Sequence, residues 1–483
     1  MTHQIPIPTR FPKLDILNPE QIRELHAATL EIIRQIGFKL EDNQARDLLL
    51  AAGAWEDGDR VKIPENMVLD ALGSAPTRIP MHDRLGNLTM PLELGKVFFG
   101  TGSDTIYTRD IETGERRRAT IQDVEDFARL CDALDQMDFV MSMSNPVDVH
   151  PDDQYIHSFV SMLRGTTKPN VYTAKDLKDM QDIYRIAAAV AGGEGNLREK
   201  PFFLQYSEPI SPLFIIEESL QKLIFCAEKG VPAGYIPSPN PGGGGPITLA
   251  GSIALGNAEC LFGLIIAQLI NPGTPFIYGM NTAALDMKTT IVSYGSPEWS
   301  LGMAAWTALA HFYGLPVWGY GGATDSKVVD AQAGIEGTFS IMSAFLSRNT
   351  LVHDVGYIEF GSTSSLEMVV IADEIIRMTR FLAGGLTVDA NSLALEATKR
   401  VRPGGGYIAD KHTLKNFRTA QWTPKVIDRS YFDNWVEDGS RDMQARANQI
   451  AKEILADHQV PPLPQEAEVL IADILAEREA NRE

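Results

Sequence analysis

Short apolar runs recur along the chain at nearly regular intervals, and helical patterns lie between them. Each run ends in Gly, Pro, Asn or a polar residue, and the next begins roughly 30 to 45 residues later. Parallel strands need long crossover connections, so this alternation predicts eight strand–helix units closed into a parallel barrel. The predicted strands are 139–143, 169–173, 201–206, 231–236, 275–278, 316–320, Leu351–Val355 and 386–388.

Helical periodicity fills the connections, most clearly at Glu217–Lys229, 298–313 and 366–382. We therefore expect an α/β fold, a (βα)8 TIM barrel, with two extensions. The predicted domains are an α+β extension at 1–138, the barrel at 139–398, and a helical extension at 399–483 packed on the barrel.

Local signals suggest elements within the first extension. Asn18 followed by Pro19 reads as a helix N-cap and a first-turn proline. Residues 96–107 alternate and then turn at 112–115, which predicts a β-hairpin. Thr120 and Asp123 form a predicted capping box that opens a helix leading into the first barrel strand.

Charge and cysteine content narrow the classes of partner. The formal net charge of −20 would repel a phosphate backbone or an anionic membrane, so neither nucleic acid nor membrane is an expected partner. Three widely spaced cysteines without a CxxC pair, and no export signal in residues 1–12, predict a cytoplasmic protein. The apolar segment 246–270 carries Asn257, Glu259 and Gln268, which favours a buried crossover helix over a membrane span.

The nine histidines show no HExxH pair and no close ligand spacing, so no metal site is predicted. Oxygen or nitrogen ligands contributed by distant strand ends would not be visible in such a pattern.

Aromatic residues are unusually frequent at the last positions of the predicted strands. Converging rings present electron-rich faces that attract a quaternary ammonium, which cannot form a hydrogen bond. The alternative is that tyrosines there pack the barrel mouth and reach water with their hydroxyls. Taken singly, packing is the better interpretation of each ring; taken as a ring with Trp318, the two remain equally open. The residues are Tyr172, Tyr206, Tyr235, Tyr278, Trp318 and Tyr320.

Polar residues near the same strand ends are candidates for chemistry. His353 and Asp354 could be a base and its orienting acid, or a hydrogen-bonded histidine with a cap. Glu208 could be a buried acid or a solvated loop carboxylate, and Asp325 could act in the site or cap the following helix.

Three sequence blocks make the chain resemble the trimethylamine methyltransferase family of corrinoid-dependent methyltransferases. The blocks are PGGGGP at 241–246, GGATDSK at 321–327 and DAQAG at 330–334, and GGY at 405–407 with the residues after it is also familiar. The resemblance extends from about residue 15 over nearly the whole chain, and it implies a (βα)8 barrel.

The resemblance also implies an activity. Members of this family move a methyl group from a methylated amine to the cobalt of a separate corrinoid protein. The trimethylamine enzymes carry pyrrolysine, which this chain lacks, so the resemblance points to the pyrrolysine-free branch that demethylates quaternary amines such as glycine betaine.

The expected cofactor arrangement follows from the same resemblance. Corrinoid-binding proteins hold cobalamin with an Asp-x-His-x-x-Gly segment, and the nearest match here, 148–153, lacks the glycine. We expect the chain to bind no cofactor itself, to receive cob(I)alamin from a partner corrinoid protein, and to form a homo-oligomer.

Strand-end position assigns three expected roles. Aromatic side chains would border a cage for the ammonium, polar groups would hold a substrate carboxylate, and acids would add negative field. The cage candidates are Tyr206, Tyr278, Trp318, Tyr320 and Phe360, the carboxylate candidates are His353 and Asn281, and the candidates for negative field are Glu208 and Asp325.

Two other functions remain open from the sequence. One is a barrel lyase or hydrolase that uses Glu208, His353 and Asp354 as acid–base groups. The other is a protein that binds quaternary amines without catalysis.

Overall fold

The computed structural model describes residues 12–481, so most of the segment used to judge export signals lies outside the described residues. The chain is mixed α/β. The helices are α1 (Pro19–Glu31), α2 (Asn43–Ala51), α3 (Glu65–Ser74), α4 (Ile121–Ala133), α5 (Gln154–Gly165), α6 (Leu177–Val190), α7 (Glu194–Glu199), α8 (Glu217–Lys229), α9 (Leu249–Ile270), α10 (Pro297–Tyr313), α11 (Ala331–Ser347), α12 (Leu366–Ala383), α13 (Leu395–Val401), α14 (Lys411–Ala420), α15 (Phe432–Glu437), α16 (Met443–Asp457) and α17 (Gln465–Ala480).

Strands are mostly short, as is usual for parallel sheets surrounded by helices. They are β1 (Lys39–Leu40), β2 (Trp55–Asp57), β3 (Arg60–Lys62), β4 (Arg78–His82), β5 (Leu88–Glu93), β6 (Phe98–Thr101), β7 (Tyr107–Arg109), β8 (Arg116–Arg118), β9 (Asn170–Tyr172), β10 (Phe203–Ser207), β11 (Phe214–Ile215), β12 (Ala233–Tyr235), β13 (Phe276–Gly279), β14 (Val317–Tyr320), β15 (Leu351–Val355), β16 (Tyr357–Ile358) and β17 (Thr363–Ser364).

Seven strands form one parallel sheet in the order β6-β15-β14-β13-β12-β10-β9. Residues 139 and 140 lie between the two edge strands. Phe139 forms a parallel bridge to Gly100 of β6, and Val140 forms one to Asn170 of β9. The sheet therefore curls until both of its edges contact the same short segment.

Two sequence predictions about strands are wrong. Residues 386–388 form no strand, and Leu386 and Val388 are largely exposed. The strand beside β15 is instead β6, which lies in the stretch predicted as one arm of a hairpin. The real hairpin pairs β7 with β8 around the predicted turn. A three-residue apolar run does not distinguish a strand from a loop. The partner of β15 is decided by contacts between residues far apart in the sequence, which a local pattern does not show.

Several local predictions are confirmed. Asn18 and Thr120 both form capping boxes, at the starts of α1 and α4. The helix predicted at Glu217–Lys229 has those bounds. Local capping and 3.6-residue periodicity are set by near neighbours, which explains why the sequence sufficed there.

Helix α9 is long and apolar enough to cross a membrane, but most of it is buried inside the protein. Gly263 lets it approach the sheet closely, since a β-carbon there would lie 2.5 Å from the ring of Tyr235. Asn257 of α9 accepts a hydrogen bond from Tyr278 of β13 at 2.9 Å. The segment is the buried crossover helix that its polar residues predicted.

Candidate functional site

Three rings meet around one histidine at the carboxyl ends of β10, β14 and β15. The ring centroid of His353 lies 4.4 Å from that of Trp318, 4.5 Å from that of Tyr320 and 6.0 Å from that of Tyr206. Tyr206 and Trp318 lie 5.1 Å apart. All four side chains are buried. The structure thus brings together three of the predicted cage residues and His353.

The other strand-end tyrosines face away from this cluster. The hydroxyl of Tyr278 donates to Asn257 on α9. The hydroxyl of Tyr235 lies 3.3 Å from the hydroxyl of Ser219 on α8. The hydroxyl of Tyr172 donates to the carbonyl of Tyr155 on α5. These three rings pack the sheet against helices. Tyr278 is therefore outside the group to which the sequence assigned it.

His353 and Asp354 form a buried pair whose protonation follows from its partners. Nδ1 of His353 lies 2.9 Å from the carbonyl oxygen of Gly319, and Nε2 lies 3.1 Å from Oδ1 of Asp354. A carbonyl can only accept, so Nδ1 carries the proton. Burial lowers the pKa of His353 to about 3, which leaves Nε2 unprotonated at neutral pH.

Asp354 must then supply the hydrogen of the second contact. Burial raises its pKa well above the ordinary value, and the charge of Glu208 raises it further. The pair is a neutral carboxylic acid donating to a neutral imidazole. Both His353 nitrogens are engaged, so the geometry does not favour His353 as the group that holds a substrate carboxylate.

The backbone at Asp354 explains why alternation along the strand misplaced this side chain. Alternation puts Asp354 on the face opposite His353, but Asp354 has a left-handed φ of 75° and the pairing with β6 shifts register between Val352 and Val355. Gly102 makes room for it, because a β-carbon there would lie 2.6 Å from Oδ1 of Asp354. The irregularity turns the carboxyl toward the histidine.

Glu208 follows β10, and we call the region around its carboxylate, near Asp104 and Asp354, the recess. Its carboxylate accepts a hydrogen bond from the Tyr206 hydroxyl at 3.1 Å. The side chain is exposed by surface area, yet desolvation by the surrounding protein raises its pKa. The carboxylate is therefore accessible to solvent and yet partly desolvated by its neighbours.

Asp104 is a member of the site that the sequence did not indicate. It follows β6 with a left-handed φ of 66°, and desolvation raises its pKa while Lys222 offsets that rise in part. Its charge raises the pKa of Glu208. Within residues 12–481, none of Asp104, Glu208 and Asp354 forms an ion pair with a lysine or arginine. The recess therefore holds carboxyl groups that have no ion-paired cation.

A second aromatic layer extends the cluster toward the surface. Trp299 of α10 lies 5.1 Å from Tyr320 and 4.9 Å from Tyr294. Asn281 accepts from the indole nitrogen of Trp299 at 3.0 Å and from the backbone of Ala283 at 3.0 Å. Asn281 thus orients Trp299, and its side-chain oxygen already accepts two hydrogen bonds.

Asp325 holds a loop of this layer in place. Its carboxylate accepts from the Tyr294 backbone at 2.8 Å and from the Ser293 hydroxyl. The N-cap of the next helix is Asp330, so the capping alternative for Asp325 is wrong.

An open cavity of about 450 Å³ lies beside these residues. Asp325, Lys327 and Phe360 line it together with the loop from Ala284 to Glu298. The ammonium of Lys327 lies 5.4 Å from the ring centroid of Phe360, whose left-handed φ is 48°. Phe360 therefore lines this cavity and is not one of the rings that meet at His353.

The segment that came nearest to a corrinoid-binding pattern has a local role. His150 accepts from the backbone of Asp152 at 3.3 Å and caps the short 3-10 turn Pro151–Asp153. Among residues 12–481, no three His, Cys, Asp or Glu side chains are grouped as a metal site.

Comparison with known proteins gives matches to methyltransferases over nearly the whole chain. The family model described as trimethylamine methyltransferase (MTTB) matches residues 1–482. The chain is 34% identical to a trimethylamine methyltransferase of Desulfitobacterium hafniense (strain DSM 10664 / DCB-2), over 95% of this chain and 93% of that protein. It is also 34% identical to a glycine betaine methyltransferase of Desulfitobacterium hafniense (strain Y51), over 97% and 98%.

A solved structure shares the fold. The monomethylamine methyltransferase of Methanosarcina barkeri aligns with a TM-score of 0.52 at 12% sequence identity, over 93% of this chain and 90% of that one.

The protonation of His353 predicts how stability depends on pH. A histidine whose pKa is about 3 in the fold and 6.5 when unfolded binds its proton only in the unfolded state between those values. Its contribution to stability is therefore lost as pH falls from about 6.5, by up to about 1.4 kcal/mol per pH unit. His353→Asn, which keeps a donor for Gly319, should show a shallower loss between pH 7 and pH 4 in urea unfolding. Equal slopes for both proteins would contradict the neutral pair.

Proposed function

The chain belongs to the trimethylamine methyltransferase family, and we propose that it takes a methyl group from a quaternary amine of the betaine type and passes it to the cob(I)alamin of a separate corrinoid protein. The observation that carries this proposal is the three-ring cluster of Tyr206, Trp318 and Tyr320 beside carboxyl groups that form no ion pair with a lysine or arginine within residues 12–481. A glycine betaine methyltransferase among the relatives supports the substrate class.

The proposed ligand fits the charge of the recess. A quaternary ammonium is attracted by ring faces and by carboxylates, and a desolvated contact with one ring is worth about 2 kcal/mol. It has no proton to give to Glu208 or Asp104, so its charge persists inside the site. A bound cation would also favour the ionised forms of these two acids, lowering their pKa values toward normal.

The proposed reaction requires little acid–base catalysis by the protein. Cob(I)alamin would supply the nucleophilic cobalt that accepts the methyl group. When the C–N bond breaks, its electron pair stays on nitrogen, and a quaternary ammonium leaves as a neutral tertiary amine. No proton moves. A His353 that is neutral with a pKa of about 3 suits this reaction better than it suits a general base.

The residues would act by orientation and by excluding water. Rings on two sides restrict the ammonium so that one methyl group faces the open end, and such positioning can be worth several kcal/mol. A betaine carboxylate needs a donor, and the buried indole N–H of Trp318 has no hydrogen-bond partner among residues 12–481. Phe360 and Lys327 would border the path by which substrate enters.

We also propose that the chain forms a closed (βα)8 barrel and that it acts in the cytoplasm. The bridges from Phe139 and Val140 to the two edges of the seven-stranded sheet support a closed barrel with its site at the carboxyl ends of the strands. We place the protein in the cytoplasm, where a reduced corrinoid partner would be met.

The activity can be tested with a panel of amines. Purified protein is mixed with free cob(I)alamin and with glycine betaine, carnitine, proline betaine or trimethylamine, and methylcobalamin is followed by absorbance. We expect methylcobalamin with at least one betaine and none with trimethylamine, because transfer of a methyl group from neutral trimethylamine would expel the unstable dimethylamide anion. The panel is repeated with a purified corrinoid protein, because the free cofactor can react slowly. Tight binding of a betaine with no methyl transfer in either form would instead indicate a binding protein, and turnover without any corrinoid would indicate a lyase or hydrolase.

A matched pair of tyrosines tests the cage. Tyr206 and Tyr172 are both buried at strand ends, but only Tyr206 belongs to the three-ring cluster. Tyr206→Leu should weaken betaine binding about thirtyfold, as expected for the loss of one desolvated cation–π contact. Tyr172→Leu should lower thermal stability and leave the affinity of the folded protein unchanged. Calorimetric affinities that fall equally in both variants would remove Tyr206 from the cage.

A further inference from the structure

A long segment leaves α12 and returns to it. Residues 384–424, which we call the arm, begin directly after the last residue of α12. The chain comes back where the backbone N–H groups of Lys425 and Val426 donate to the Glu374 carboxylate of α12, at 2.8 and 3.0 Å. Both ends of the arm are therefore fixed to one helix.

The arm has internal structure but almost no core. Arg400 donates twice to Asp410, at 3.1 and 2.8 Å, and the Thr413 hydroxyl donates to the Tyr407 carbonyl at 2.7 Å. Its helices α13 and α14 have 7 and 10 residues and bury only Ala397. Helices this short are marginal in water without packing, so another surface must cover them.

The exposed side chains of the arm are apolar to an unusual degree. Ile408 is 92% exposed, Leu386 88% and Leu414 75%. Val388 is 68% exposed. Concentrated apolar exposure of this kind marks an interface rather than an ordinary surface.

The charge of the arm is opposite to that of the protein. The arm, residues 384–424, contains six Lys or Arg and three Asp or Glu, within a chain of net charge −20. Arg402, Lys411 and Lys415 form no ion pair within residues 12–481. A basic, apolar arm is complementary to an acidic protein surface, and every further copy of this chain supplies one.

The position of the arm argues against the methyl-accepting protein as its partner. Arg380, in the last turn of α12, pairs with Asp138 at 2.5 Å, immediately before the segment that enters the sheet. The arm thus leaves from the end of the sheet opposite to the carboxyl ends where Tyr206 and Trp318 lie. A corrinoid partner has to reach the latter end.

We infer that the arm docks on a second copy of this chain and holds a homo-oligomer together. The contact combines burial of Leu386, Ile408 and Leu414 with pairing of arm cations to acidic groups of the neighbouring copy. It leaves the recess at the other end of each subunit free.

Light scattering of the purified full-length chain tests the inference. The native protein should have at least twice the 53.1 kDa mass of one chain. Ile408→Asp combined with Leu414→Asp should reduce it to one chain mass, while Leu69→Asp, at a 50% exposed position of α3, should leave it unchanged. A native protein that runs as a single chain, or a double variant of unchanged mass, would overturn the inference. An unchanged mass with loss of methyl transfer to the corrinoid protein alone would assign the arm to that partner instead.

A thiol probe covers the case in which the charged variant does not fold. Cys131, Cys226 and Cys260 are buried, so a cysteine introduced at a surface position is the reactive one. A thiol in Ile408→Cys should react about tenfold or more slowly than one in Leu69→Cys, because the interface protects it. Equal rates at the two positions would contradict docking of the arm.

Discussion

Buried aromatic rings on the parallel strands lie beside carboxyl groups that form no ion pair with a lysine or arginine within residues 12–481. Desolvation raises the pKa values of Asp104, Glu208 and Asp354. The charge of Asp104 further raises the pKa of Glu208, and the charge of Glu208 further raises the pKa of Asp354. Asp354 is protonated and donates a hydrogen bond to His353. The remaining two acids would favour a permanent cation over a neutral amine, as the proposed function requires. The proposed substrate and its neutral leaving group both rest on that condition.

Much of the fold could be predicted because its signals are local. The capping boxes at Asn18 and Thr120, the bounds of α8 and the buried character of α9 depend on residues a few positions apart. Six of the predicted strand positions fall on strands of the parallel sheet for the same reason. The edge of the sheet could not be predicted in this way. β6 pairs with β15 across some 250 residues, and no local pattern distinguishes that pairing from a hairpin.

The site could be predicted only where a regular strand carries the side chain. Trp318 and Tyr320 share a face of β14, and both meet His353 as expected. The alternation of side chains along a strand does not show which of its two faces is inside. Strand position therefore predicts Tyr278 as a cage residue together with Trp318 and Tyr320, whereas its side chain packs on α9. Asp104 and Asp354 have left-handed backbones just after or within strands, where alternation fails. Asp104 acts on Glu208 and Asp354 donates to His353, and only the folded chain brings these groups together.

The central claim is that the recess recognises permanent positive charge rather than shape. Glycine betaine and 3,3-dimethylbutanoate have nearly the same shape and the same carboxylate, and differ in that a charged nitrogen replaces a neutral carbon. Titration calorimetry of both ligands with the native protein measures that difference directly. The account predicts that glycine betaine binds at least about tenfold more tightly, and that Glu208→Gln reduces the preference. Equal affinities for the two ligands, or tighter binding of the uncharged centre, would contradict it.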